Sequence, residues 1–239
     1  MRGGVGQPVR FRFTKRGKVR FISHRDVARA FDRAVRVGRL PVAFTEGFSP
    51  RPKMSFGLAL PVGAESDAEY LDVAFAETVE PGEVGESLSA ALPEGMEITG
   101  AETLVEHAPA LQESITRVDY ALEVVDADWS SVTPAELRNA AERFLARDFV
   151  SVVRVRKGKE READLRAGVL DLDVAGNVLA MALATGSSGP RPGEVTDELG
   201  PGWQAGRVRR TRQWIERDGS RLEPLEADTR PHAEAACAS

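Results

Sequence analysis

The sequence predicts an α+β protein of two tandem β-α-β-β-α-β domains with mostly antiparallel sheets. Three observations lead there. Apolar side chains recur with alternating period-two and helical spacing, in the order β-α-β-β-α-β, between residues 9 and 104. The same order reads again between residues 117 and 215, with almost no similarity of sequence. The chain of 239 residues is long enough for two domains of about 100 residues, each with its own core. The expected boundaries are a basic domain over 1–105, a linker over 106–116, a second domain over 117–217 and a flexible tail over 218–239.

Each element has a local reason. Residues 9–23, VRFRFTKRGKVRFIS, alternate apolar and basic side chains about a Lys15-Arg16-Gly17-Lys18 turn, the pattern of strands with a cationic polar face. Ser23 then caps a helix with Asp26 in its first turn, and Val27, Phe31, Ala34 and Val35 recur at helical spacing to about Gly38. Arg25, Arg29, Arg33 and Arg36 line the other face as one basic stripe. Residues 42–63, rich in Phe, Pro and Gly, have no helical period and read as a long ordered loop between strands. A strand over 68–76, a helix opened by Pro81 and a strand over 96–104 complete the first half.

The second half opens with TRVDYALEVV, a strand, followed by Thr133-Pro134-Ala135-Glu136, a capping box with proline at the first helical position. Strands follow in VSVVRVRKGK and VLDLDVAGNVLAMAL, with a turn at Ala175-Gly176-Asn177, then a short helix over 192–199 and a last basic strand over 207–215. Two successive units of this order predict tandem ferredoxin-like domains, whose open sheets often serve as RNA platforms.

Charge is segregated along the chain, which the net value of −5 conceals. Residues 1–60 hold fourteen Lys and Arg against three acids, whereas residues 61–116 hold thirteen acids and no Lys or Arg. Either the acidic segment lies against the basic one and neutralises it, or the basic face stays free and attracts a polyanion, most simply RNA, by counterion release. The longest apolar runs are too short for a spanning helix, and MRGGVGQPVR lacks the apolar core of a signal peptide, so a cytoplasmic protein with no membrane partner is expected.

Motifs for autonomous chemistry are missing. There is no phosphate-binding loop, GxGxxG, HExxH or CxxC, and the single cysteine, Cys237, excludes a thiolate cage; no metal and no cofactor are expected. Of three histidines only His24 is well placed, at the start of the basic helix, where it reads either as a general base for metal-free RNA cleavage or as a plain helix-start residue. The candidate RNA contacts of the first half are Lys15, Arg16, Lys18, Arg20, Arg25, Arg29, Arg33, Arg51 and Lys53, with Phe48 as a stacking residue. Phe44 and Phe56 are assigned to the core. In the second half the candidates are Arg154, Lys157, Lys159, Arg166, Arg207, Arg210 and Arg212.

The run FTKRGKVRFISHRDVARAFDRAVRVGRLPVAFTEGFSPRPKMSFGLALPVGAESDAEYLDV, residues 13–73, closely resembles the start of the bacterial radical SAM-linked proteins, a family of unknown function. KGKEREADLRAGV, ATGSSGPRPGEV and RVRRTRQWI resemble that family's second half. Arg25 stands where leucine is usual, and Ser49 and Arg51 stand where asparagine and histidine are common. The resemblance implies a partner, a radical SAM protein with a cobalamin-binding domain, and work on tRNA, rRNA or a similar substrate. With one cysteine the chain cannot hold the three-thiolate cluster itself, so its expected role is to present an RNA. Two rival roles are a metal-independent endoribonuclease using His24 and a protein-interaction module that docks through residues 44–62.

Overall fold

The computed structural model describes residues 6–156, 158–186 and 189–230. Both halves are mixed α and β with mostly antiparallel strands, as the alternating periods require. The chain divides into two compact units: Met1–Ala59, Glu69–Ser114 and Leu222–Ser239 form the first, and Leu60–Ala68 with Ile115–Arg221 the second.

In the first unit β1 (Gln7–Lys15) leads through a 3₁₀ turn (Gly17–Phe21) into α1 (His24–Val37). Then come β2 (Met54–Phe56), β3 (Glu65–Phe75), α2 (Pro81–Ala91), β4 (Ile98–Thr103) and the one-turn α3 (Leu111–Ser114). The strands lie in the order β4-β1-β3, with β2 paired to β3. Val9, Phe11 and Phe13 of β1 meet Val27, Phe31, Ala34 and Val35 of α1 in the core. Phe13 and Phe31 pack edge to face at 4.8 Å, and Phe11 and Phe75 at 6.4 Å. Helix α1 follows its sequence signal throughout: the Ser23 side chain accepts from the Asp26 N–H, and the buried face is the apolar stripe.

In the second unit β5 (Arg117–Val125) and α4 (Pro134–Leu145) precede a hairpin, β6 (Ser151–Arg156) and β7 (Lys159–Asp164). β8 (Val169–Ala175), β9 (Val178–Ala184), α5 (Pro192–Leu199), β10 (Gln204–Arg217) and β11 (Ser220–Leu222) follow. The strand order is β10-β5-β9-β8, while β6 and β7 pair only with each other and β11 pairs with β10. The first residues of β3 also belong here, pairing in parallel with β10 at Glu65 and Ser66. The Thr133–Glu136 capping box forms with both of its hydrogen bonds, as its spacing requires.

Three expectations need correction. The alternation after Lys15 does not make a second strand: Gly17 takes φ +65°, which turns the chain, and Ile22 N–H closes the 3₁₀ turn on Val19 O at 3.1 Å. The linker carries α3, whose Leu111 is fully buried. Residues 218–230 are not a loose tail: Val105 N–H donates to Asp228 O at 2.8 Å, Arg230 N–H to Thr103 O at 2.9 Å, and Ala227 is buried. The end of the expected tail, residues 231–239, lies outside the described residues.

Candidate nucleic-acid interface

The candidate site is built by α1 and the segment that follows it. Burying Val27, Phe31, Ala34 and Val35 forces the opposite face of α1 outward, and Arg25, Arg29, Arg33 and Arg36 are all exposed. Arg29 meets Asp26 at 3.0 Å and Arg36 meets Asp32 at 3.2 Å, exposed pairs within the helix that hold little energy and leave the guanidinium faces open. Arg25, Arg33 and Arg51 have no carboxylate partner among the described residues.

The loop after α1 is a closed hairpin tip. Thr45 N–H donates to Arg51 O at 2.8 Å, and Arg51 N–H donates to Thr45 Oγ1 at 3.1 Å. Lys53 N–H donates to Ala43 O and Ala74 N–H to Lys53 O, which ties the stem to β3. The closed tip carries Phe48 entirely exposed, and Arg51 and Lys53 are exposed on its returning limb. Between this limb and α1 lies a groove of about 520 Å³, lined by Arg25, Ala28, Arg29, Asp32 and Arg36 on one side and Arg51, Pro52, Met54 and Phe56 on the other.

Phe56 packs against two other rings. Its ring meets Phe31 at 5.7 Å and His24 at 5.3 Å, both edge to face. His24 itself is exposed, at the first position of α1 beside Arg25. Ser23 Oγ donates to Asp26 Oδ2 at 2.7 Å; chiefly through that bond, the Asp26 carboxyl is held below its ordinary range.

Of the other expected contacts, several are already engaged elsewhere. Lys15 is only 2% exposed and its ammonium donates to the carbonyls of Arg20 and Ile22, so it cannot meet RNA. Arg154 is clamped by both carboxylate oxygens of Glu194 at 2.8 Å. Arg166 donates to the carbonyls of Leu145 and Val169 and serves as a brace. Arg210 is buried against Tyr120, whose hydroxyl accepts from it at 3.2 Å. Arg207 is exposed but paired with Glu65 at 2.8 Å, and Arg212 lies over the Trp214 ring at 5.5 Å. Arg16, Lys18 and Lys159 are exposed, Arg20 is half-buried, and Lys157 lies outside the described residues. Phe44, assigned to the core, is exposed instead, because its backbone bridge to Pro52 holds it on the hairpin tip.

Among the described residues the acidic segment forms no ion pair with the arginines of α1. Asp72 pairs with Arg10, Glu65 with Arg207 and Asp67 with Arg209, whereas the partners of the α1 arginines come from α1 itself. One aromatic went unread in the sequence: Phe21 is 60% exposed just before α1, with the Arg20 guanidinium over its ring at 4.6 Å. Its signal was the Gly17 turn, which breaks the parity that had put Phe21 on a strand. Asp32, Pro52 and Met54 also line the groove without having been singled out.

A protein family described as "Uncharacterized protein conserved in bacteria (DUF2344)" matches residues 9–191. The chain belongs to that family. The matched span contains the whole of the groove and α1. No curated protein shows significant similarity to this DUF2344 chain. Among solved structures it is similar to a chain of a Cbf5-Nop10-Gar1 complex, at 11% identity and a TM-score of 0.47, over 86% of its own length and 48% of the other's. A chain of an H/ACA RNP bound to a substrate RNA containing 2′-deoxyuridine gives 12% identity and a TM-score of 0.41, over 86% and 47% of the two lengths. A chain of the archaeal box H/ACA sRNP Nop10-Cbf5 complex gives 11% and 0.45, over 85% and 47%. The DUF2344 chain thus spans about half the length of these chains.

No helix among the described residues is long and apolar enough to cross a membrane. Among those residues no group of three His, Cys, Asp or Glu side chains is gathered as metal ligands would be.

Proposed function

We propose that this protein is a cytoplasmic RNA-binding accessory protein that presents a tRNA, rRNA or similar substrate to a separate radical SAM enzyme with a cobalamin-binding domain. The observation that carries the RNA part is the exposure of Arg25 and Arg51, which line one groove, and of Arg33 on the same helix as Arg25, all three without carboxylate partners among the described residues. Desolvating a paired arginine costs its existing bond, whereas an unpaired one gains a phosphate and releases counterions. Lys18 and Lys53 extend the exposed charge, and Phe21 and Phe48 offer faces on which bases can stack. The partner enzyme rests on the sequence resemblance of residues 13–73.

We read each unit as ferredoxin-like. In support, leaving aside the β6–β7 hairpin, each runs β-α-β-β-α-β with its fourth and first strands adjacent and the third and second following, β4-β1-β3-β2 in one and β10-β5-β9-β8 in the other. A second reading, metal-independent endoribonuclease, is favoured by one observation: His24 is exposed next to Arg25 and touches Phe56, both of which line the groove.

The test is retention of total cellular RNA by the purified full chain as salt is raised. The proposal expects retention at low salt that falls steeply as salt rises. Absence of retention at low salt overturns it.

A further inference from the structure

The groove between α1 and the returning limb of the loop has two unlike walls. The α1 wall is polar and cationic, with Arg25, Arg29 and Arg36 around the single carboxylate Asp32. The opposite wall, below Arg51 at its rim, is Pro52, Met54 and Phe56. Its volume of about 520 Å³ falls in the range of roughly 300–1,000 Å³ that encloses a small molecule. Phe56 is anchored against the core by its edge-to-face contacts with Phe31 and His24. The backbone of Met54 is fixed by its strand pairing with Val73 in β3, and its flexible thioether side chain can mould to what it meets. The apolar wall therefore stands ready to receive something flat.

A double helix offers such a wall nothing. Its bases are stacked and paired, and its phosphates reach only the arginines. An unpaired nucleotide matches both walls, since its base has an apolar face to bury and its phosphate an arginine to meet. We infer that the groove seats one unpaired nucleotide of an RNA strand, base against Pro52, Met54 and Phe56, phosphate among Arg25, Arg29 and Arg51. The site then selects single strands, loops or ends over continuous duplex. This rests on the RNA-binding reading and deepens it.

The experiment is fluorescence anisotropy of the full chain with a labelled single-stranded RNA of mixed sequence and with the same strand in a blunt duplex. The single strand is expected to bind about tenfold more tightly, the scale of one stacked base. Met54→Ala is expected to remove most of that preference by weakening the single strand while leaving the duplex unchanged. Arg51→Ala, at an exposed position off the core, is the second variant; it is expected to weaken the single strand more than the duplex, and it decides the matter should Met54→Ala fail to fold.

Equal affinity of the unaltered chain for single strand and duplex overturns the inference while the RNA-binding reading stands. So does a preference that survives both substitutions, or displacement of the RNA by polyglutamate at equal charge. Failure to bind either RNA overturns both.

Discussion

The ammonium of Lys15 donates to the carbonyl of Ile22 at 3.0 Å and to that of Arg20 at 3.2 Å, so the end of β1 is stitched to the residue just before the cap of α1. This buried cation is structural. Lys15→Ala leaves both carbonyls without that donor and is expected to cost about 1–3 kcal/mol in urea unfolding. RNA affinity, measured where both proteins are folded, is expected to stay unchanged. Unchanged stability with lost RNA affinity contradicts the assignment.

Arg10 is fully buried on the opposite face of the same strand, held by Asp72 at 2.7 and 2.9 Å and donating to Pro224 O at 3.1 Å. Arg10→Met strands the Asp72 carboxylate and is expected to lower stability by about 3–5 kcal/mol. Arg10→Met/Asp72→Leu, which removes both charges, is expected to recover most of that loss. Denaturant unfolding of the single and double variants checks the ordering, and a double variant as unstable as the single contradicts it.

The pH response follows from the caps. The Asp26 carboxyl lies below its ordinary range because Ser23 Oγ, and then Arg29, bond its charged form; Glu136 is lowered likewise by Thr133. A lowered folded value means stability that is complete above the unfolded carboxylate range and is lost as pH falls through the folded value. Asp72 has the opposite sign, since burial raises it against the pull of Arg10: its contribution favours the protonated form and declines as pH rises through the raised value. Asp26→Asn is expected to lower Tm at neutral pH and to flatten the fall in Tm on acidification below the carboxylate range. A parallel acid profile in the variant contradicts the cap assignment.

Much of the site was legible because it is local. The Ser23 cap, the 3.6-residue apolar stripe and the arginines opposite it are consequences of one helix, and the structure keeps all of them. Lys15 was also legible by parity, since it shares the face of Phe11 and Phe13; basic composition masked that signal. Arg10 was not legible. Its face of β1 is covered by residues from the far end of the chain, Glu223 and Pro224, a pairing that no local period encodes. The same holds for Arg154, whose partner Glu194 lies forty residues away across an intervening hairpin and two strands.

His24 separates the two functional readings. RNA incubated with the purified chain in EDTA is expected to remain intact, and His24→Ala to lose only the edge contact with Phe56, worth about 0.5–1.5 kcal/mol of stability. Discrete cleavage that disappears in His24→Ala contradicts the accessory role and establishes the nuclease.

RNA binding through the basic face of α1 is tested by the salt dependence of affinity for the unaltered chain and for Arg25→Glu/Arg33→Glu, with Arg138→Glu, an exposed arginine of α4 in the second unit, as the control. The double variant is expected to bind more weakly, with a slope of log affinity against log salt shallower by about 1–2, the loss of two phosphate contacts on a single strand. The control keeps both. If the double variant binds as tightly and with the same slope as the unaltered chain, the basic face of α1 is only a solvated surface and does not bind RNA.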